Sequence, residues 1–277
     1  MNKIKEVCNN RYSTVMICKV LGVPRSTLYY KSIKRAEDPM IIEAVESSFT
    51  KSLKTYGQPR IKADLKLQDH NVSRLRIKRI MSAKNLVSCY NKARKPKINL
   101  PSNNDNHPNL LDRQFNYRKL REVIVSDTTY FDINGKWYYL CPLIDLHRRE
   151  IVGYSVSAHR DQFMAVEAFY STDFDLRETE IFHSDRGGEF KNHSIDKLLK
   201  AFGIKRSLSK KATPVDNAVI ESFFQKIKIE FIDREVFTSI EDFKTKWSEY
   251  VFYFNNKRLH SSLGYSCPKD YIEKNKD

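Results

Sequence analysis

The hydrophobic period changes part-way along the chain, and this change constrains the fold more than any other feature. Between residues 40 and 88 the apolar positions recur at helical spacing: Ile41, Ile42, Val45 and Phe49, then Ile61 to Leu67, then the run from Val72 to Met81. From Val123 to Ile133 apolar and polar residues alternate, as in a half-buried strand. Asn134-Gly135 then supplies a hairpin turn, and two further strand-like runs follow, Trp137–Leu146 and Glu150–Val156. A helix with apolar Phe163, Val166, Ala168 and Phe169 comes next. Then come a short strand at Thr179–Phe182, a helix from about Ser194 to Phe202 ending at Gly203, a strand at Ile204–Leu208, and a long helix from about Asp216. Three leading strands make an antiparallel meander, and later strands joined through helices add in parallel. The expectation is an α/β fold: a mixed sheet flanked by helices, preceded by a small all-α region.

Between the two regimes lies a stretch of different composition. Asn91–Lys97 is a basic run, and Pro101–Pro108 is polar, with two prolines and no large apolar residue. This divides the chain into a helical region at 1–90, a linker at 91–110 and a second domain at 111–277. Charge divides the same way. The whole chain carries a net charge of +15; residues 1–110 hold 22 Lys+Arg against 8 Asp+Glu, and residues 111–277 hold 27 against 26. A basic excess of this size favours a polyanionic partner, most often nucleic acid, and its concentration at the front suggests a binding region joined to a catalytic or scaffolding one. The five cysteines form no Cys-x-x-Cys pair, which argues against a disulfide framework or a zinc knuckle and fits a reducing compartment. With no leader-like start and no apolar run near the ~18 residues that a membrane span needs, a cytoplasmic protein without membrane contact is expected.

Within the front region, Tyr12–Leu21, the Gly22-Val23-Pro24 break and Arg25–Tyr30 have the composition of a helix-turn-helix, with Arg25, Ser26 and Thr27 on its second member. An ordinary helical hairpin reads equally well. The third amphipathic stretch has a serine able to cap it and a basic face that includes Lys78 and Arg79.

Three acids stand where chemistry could use them. Asp127 and Asp185 lie in or at the end of strands, and Glu221 lies on the helix after Asp216. On that helix Ile220, Phe223, Phe224, Ile227 and Phe231 form an apolar face, while Asn217, Glu221, Gln225 and Lys228 fall on a polar stripe. Three carboxylates converging on a sheet edge repel one another unless hard cations sit among them. For any arbitrary three acids, surface or capping roles are commoner, so the surrounding motifs decide.

Ser126-Asp127-Thr128-Thr129-Tyr130, His183–Phe190 and Asp216–Phe224 with Lys228 and Glu230 resemble, in order, the three catalytic motifs of integrase-core transposases from bacterial insertion sequences. Between Asp185 and Glu221 stand 35 residues, the hallmark spacing of that superfamily. Asn255–Tyr265 with Pro268 resembles its C-terminal signature, and Ile144-Asp145-Leu146 and Arg149–Gly153 its middle strands. Ile124, Gln58-Pro59 and Ala212 depart from the usual residues without touching the acids. The resemblance implies an RNase H-like core with a five-stranded mixed sheet, and a triad of Asp127, Asp185 and Glu221 holding two Mg²⁺ or Mn²⁺ ions. It also implies cleavage and strand transfer of DNA, with the element's terminal inverted repeats as ligand. Further implications are a homo-oligomer on double-stranded DNA and a second-reading-frame product that partners, or fuses by frameshift with, the upstream-frame product. Arg60, Lys210, Lys211, Lys228, Arg258 and His260 are expected to contact DNA. His183 is read as a packing or positioning residue rather than a general base, because metal activation can replace a protein base. Other readings of such a chain are an RNase H-like nuclease without strand transfer and a catalytically inert DNA-binding regulator.

Overall fold

The computed structural model describes residues 12–26, 37–91, 109–111, 114–115, 119–209 and 214–271. Two compact units emerge, residues 1–40 and 41–277. In the first, α1 (Thr14–Leu21) is capped at its start by Ser13, whose side chain accepts from the Met16 N–H, and stops at Gly22. Gly22 takes φ 61°, which glycine adopts at little cost, and its N–H bonds back to the last turn. Arg25 and Ser26 are exposed; Thr27 lies outside the described residues.

The second unit begins with α2 (Pro39–Lys51), α3 (Gln58–Leu67) and α4 (Arg74–Ala83). Their helical spacing turns Ile41, Val45, Phe49, Ile61, Leu65, Ile77 and Ile80 into one apolar cluster, which Leu259 from the far end of the chain also joins. Ser73 caps α4 as its position suggests, accepting from the Arg76 N–H. A 3₁₀ turn at Cys89–Asn91 closes this region.

The sheet is built from β1 (Val123–Ser126), β2 (Thr129–Ile133), β3 (Lys136–Asp145), β4 (Ile151–Ser157), β5 (Ile181–Ser184) and β6 (Lys205–Leu208). α5 (Gln162–Tyr170) follows β4 and α6 (His193–Phe202) follows β5. After β6 come a 3₁₀ turn at Pro214–Asn217, α7 (Ala218–Ile227), a π-helical turn at Lys228–Ile232 and α8 (Ile240–Asn256). Asn134 (φ 53°) and Gly135 (φ 79°) make the expected hairpin turn between β2 and β3. β1–β3, β2–β3 and β3–β4 pair antiparallel; β1–β5 and β5–β6 pair parallel.

Six strands stand where five were expected, and the extra one has a local cause. β1 pairs Ser126 with Leu143 and β2 pairs Thr129 with Leu140, so both run along one side of β3 in a single unbroken register. That register sets Pro142 opposite Asp127. Proline has no N–H to give the ladder, so pairing lapses at Asp127-Thr128 and one long strand reads as two. The interruption falls at the first of the three acids.

The sheet is covered on both faces. On one, α7 and α8 bury Ile220, Phe223, Ile227, Phe243, Trp247 and Phe254 against Val123, Val125, Phe131 and Ile133. Phe131 and Phe243 stack with ring centroids 3.9 Å apart. On the other, α5 and α6 cover Ile124, Leu143 and Phe182. Burying side chains of this size on both faces contributes roughly 1.5–3 kcal/mol each. Among the described residues no helix is long and apolar enough to cross a membrane.

Candidate active site

Strand pleating aims the two aspartates. Val123 and Val125 lie on the face covered by α7 and α8, and Asp127 continues their alternation past the end of β1. β1 and β5 run parallel with Val125 beside His183, so two residues further on Asp127 and Asp185 stand at the same level on adjacent strands. Glu221 stands in the first turn of α7, which packs on the face of the sheet that carries Val123 and Val125. The Asp127 carboxylate accepts from the Thr128 N–H at 2.7 Å, and Asp185 from the Gly187 N–H at 2.8 Å.

Burial pushes the Asp127 carboxyl well above the usual carboxylate range, and the neighbouring Asp185 and Glu189 charges push it further. Asp185 is raised as well, again first by burial and then by Glu189, against the stabilising Gly187 N–H. The two acids thus disfavour each other's charge in a poorly solvated place. Arg160 is the cation that lowers both. Its Nε and Nη2 both lie 2.7 Å from Oε1 of Glu189, which is itself only 4% exposed. Arg160 and Glu189 also line a depression of about 610 Å³ with Asp161, Gln162, Phe163, Gly187, Gly188 and Asn192. Neither was singled out from the sequence. Glu189 lies in the second motif without a role, and nothing around Arg160 marks it.

Gly187 is where these carboxylates crowd the backbone. A Cβ there would stand 2.6 Å from Oε2 of Glu189 and 2.9 Å from Oδ1 of Asp185, whereas a Cβ at Gly188 would meet nothing within 4 Å. The donors are hard carboxylate oxygens, the kind that suit Mg²⁺ or Mn²⁺. Among the described residues, however, no three His, Cys, Asp or Glu side chains are gathered as a single bound metal would require.

His183 is fully buried and occupied at both ring nitrogens. Nε2 lies 3.1 Å from the Asp216 carbonyl and Nδ1 lies 2.9 Å from Oγ of Ser207. A carbonyl only accepts, so Nε2 carries the proton and Nδ1 accepts from Ser207. Burial brings its pKa down to about 4. His183 therefore ties β5 to β6 and to the turn that launches α7, as a positioning group expected to be neutral at physiological pH.

The residues expected to meet DNA fall into different surroundings. Lys78 and Arg79 are exposed on α4. Lys228 lies 5.2 Å from the centroid of the exposed Tyr130 ring. Lys210 and Lys211 lie outside the described residues. Arg258, by contrast, is 0% exposed and ion-paired with Glu230, and Arg60 stands 3.9 Å from the same carboxylate. His260 is buried, with Nδ1 against Oγ of Ser262, and desolvation holds its pKa far below normal. The side chains of Arg258 and His260 belong to the interior rather than to a DNA-facing surface, and Arg60 is mostly shielded.

Two family models described as "Integrase core domain" match residues 118–214 and 202–268, and one described as "HTH-like domain" matches residues 35–94. The chain belongs to the integrase-core transposases of bacterial insertion sequences. "Putative transposase InsK for insertion sequence element IS150" of Escherichia coli (strain K12) is 29% identical over 261 residues, 92% of each chain. The transposase for insertion sequence element IS904 of Lactococcus lactis subsp. lactis (strain IL1403) is 28% identical, over 88% of this chain and 98% of its own. Among solved structures, the HTLV-2 integrase catalytic core domain in complex with magnesium matches with a TM-score of 0.40 and 13% identity, over 55% of this chain and 96% of its own. The helix-turn-helix match falls on α2, α3 and α4 of this transposase-family chain. The pair at residues 12–32 that the Gly-Pro break singles out lies upstream of it. Gly and Pro punctuate any helical hairpin, and so point less specifically than the three-helix pattern.

Proposed function

We propose that this chain cleaves and joins DNA strands during transposition of an insertion sequence, with Asp127, Asp185 and Glu221 as its catalytic acids. The observation that supports the reading most is the pair of half-buried aspartates at the same level on adjacent parallel strand ends. The mutual disfavour of their charges suits a site that binds cations. Asp127, Asp185 and Glu221 would hold two Mg²⁺ or Mn²⁺ ions, which when bound activate a water or a 3′-hydroxyl and clamp the attacking and leaving oxygens at phosphorus.

The remaining work falls to the chain itself. Arg160 neutralises part of the acidic cluster through Glu189 and keeps Asp185 from being crowded out of place. His183 fixes the start of α7. Lys228 lies on the Glu221 helix's continuation, where it meets a phosphate near the reacting strand. The basic face of α4, with Lys78 and Arg79, grips the terminal inverted repeats mainly through phosphates. Arg25, Ser26, Thr27, Lys210 and Lys211 add to this grip. In this division of labour residues 1–90 hold DNA, 91–110 connect, and 111–277 carry the chemistry. A homo-oligomer on DNA, and the upstream-frame product or its frameshift fusion, complete end recognition.

The test is a strand-joining assay with a pre-cut terminal end, target DNA and Mg²⁺. Asp185→Asn abolishes joining while DNA binding stays within about threefold, since one neutralised carboxylate removes no phosphate contact. An unchanged joining rate refutes the triad. Cleavage without joining by the native chain replaces this reading with a nuclease, and metal-independent binding alone replaces it with a regulator.

A further inference from the structure

Glu230 lies nine residues beyond Glu221, inside the π-helical turn that continues α7. Its side chain is 0% exposed. The carboxylate accepts from Nε of Arg258 at 2.7 Å and from Nη2 at 2.6 Å, a two-point charge-assisted pairing. It also accepts from the Tyr250 hydroxyl at 2.9 Å and from the Tyr90 hydroxyl. Arg60 approaches the same group, with its guanidinium 5.8 Å and 5.6 Å from the ring centroids of Tyr56 and Tyr90. Tyr56 extends the cluster by accepting from the Leu259 N–H at 2.7 Å.

These partners come from distant parts of the chain. Arg60 and Tyr56 flank the start of α3, Tyr90 is in the 3₁₀ turn that ends the helical region, Tyr250 is on α8, and Arg258 follows it. The cluster is remote in sequence from Asp127 and Asp185, and the chemistry proposed above does not use it. It surrounds the one turn of the Glu221 helix that departs from α geometry. π turns are rare, occur mostly as single turns inside α-helices and are frequent at functional sites.

We propose that Glu230 is a positioning residue that, through Arg258 and Tyr90, fastens the far end of the Glu221 helix to the helical region, so that bound DNA and the third acid share one rigid frame. Leverage explains why the anchor matters. Nine residues of helix span about 13 Å, so a 5° tilt about Glu230 moves Glu221 by about 1 Å. A displacement of that size costs on the order of 10²-fold in rate at a preorganised site. The catalytic consequence rests on the assignment of Glu221 made above; the mechanical link does not.

Tyr90→Phe in the full chain tests the proposal. It removes one hydroxyl and leaves the Glu230–Arg258 pair to hold the fold. Hydrogen exchange over residues 218–232 is expected to rise about tenfold while β5 keeps its protection. The turnover rate for strand joining is expected to fall about tenfold, with KM for end DNA within about twofold of the native value. Arg258→Lys, which keeps the charge but loses the two-point pairing, moves both readouts the same way and further. Native exchange over 218–232 in Tyr90→Phe overturns the link. So does an equal rise in β5, which reports general loss of stability. Raised exchange with unchanged turnover overturns the positioning role. If the native chain joins no DNA, the function proposed above falls, and the exchange experiment still decides the link.

Discussion

Replacing Gly187 by alanine separates the geometry of the carboxylates from their chemistry. The substitution adds one methyl group to a backbone outside the left-handed region, so no conformational penalty accompanies it. That methyl would stand 2.6 Å from Oε2 of Glu189, 2.7 Å from its Cδ and 2.9 Å from Oδ1 of Asp185. Relief to ordinary contact requires Oε2 to retreat by about 0.8 Å and Oδ1 by about 0.5 Å. Neither carboxylate is loose. Glu189 is 4% exposed and held by Arg160 at 2.7 Å, and Asp185 is held by the N–H of Gly187 itself. The methyl therefore pushes Asp185 away from its position beside Asp127 and strains the bond that fixes its rotamer. Overpacking of this kind costs about 1–3 kcal/mol of stability, which a chain of this size survives. The displacement costs on the order of 10²-fold in joining rate. Gly188→Ala is the matched control, since its methyl meets nothing within 4 Å and it is expected to behave as the native chain. The assay measures Mg²⁺-dependent joining of a pre-cut end alongside thermal melting and DNA binding by anisotropy. Joining by Gly187→Ala within threefold of Gly188→Ala would refute the argument that these acids act from where the structure holds them.

Two further outcomes follow from other parts of the molecule. Lys78→Ala on the exposed face of α4 weakens end binding about equally for all sequences and lowers the slope of log K against log salt by about one, measured by anisotropy from low to moderate salt; an unchanged slope removes Lys78 from the phosphate contacts. His260 is kept neutral by burial while the unfolded chain takes up a proton near pH 6.5, so the unfolded state binds more protons as pH falls and stability declines. Between pH 7.5 and 5.5 this costs about 1.4 kcal/mol, and His260→Gln should remove that part of the pH dependence in urea denaturation; an equal decline in both chains would assign it elsewhere.

The alternating strands, the Asn134-Gly135 turn and the phase of Glu221 are legible because each rests on neighbours in sequence. What escapes is set by residues brought together from far apart. The break at Asp127 depends on Pro142, which becomes relevant only once the hairpin register places it opposite. The π turn at Lys228–Ile232 interrupts a helix whose apolar spacing reads as a continuous α-helix, because its partners are Tyr90, Tyr250 and Arg258. Arg258 and His260 illustrate the same limit in electrostatics. In a basic chain that meets DNA, a positive residue in a C-terminal motif reads as a phosphate contact, and only the buried carboxylate of Glu230 shows that Arg258 is spent inside. An Arg–Glu pair withdrawn into the interior removes one charge of each sign from the solvent face and leaves the net charge unchanged. A count of cations therefore does not say which of them meet solvent: Lys78 and Arg79 stand exposed on α4, whereas Arg258 does not.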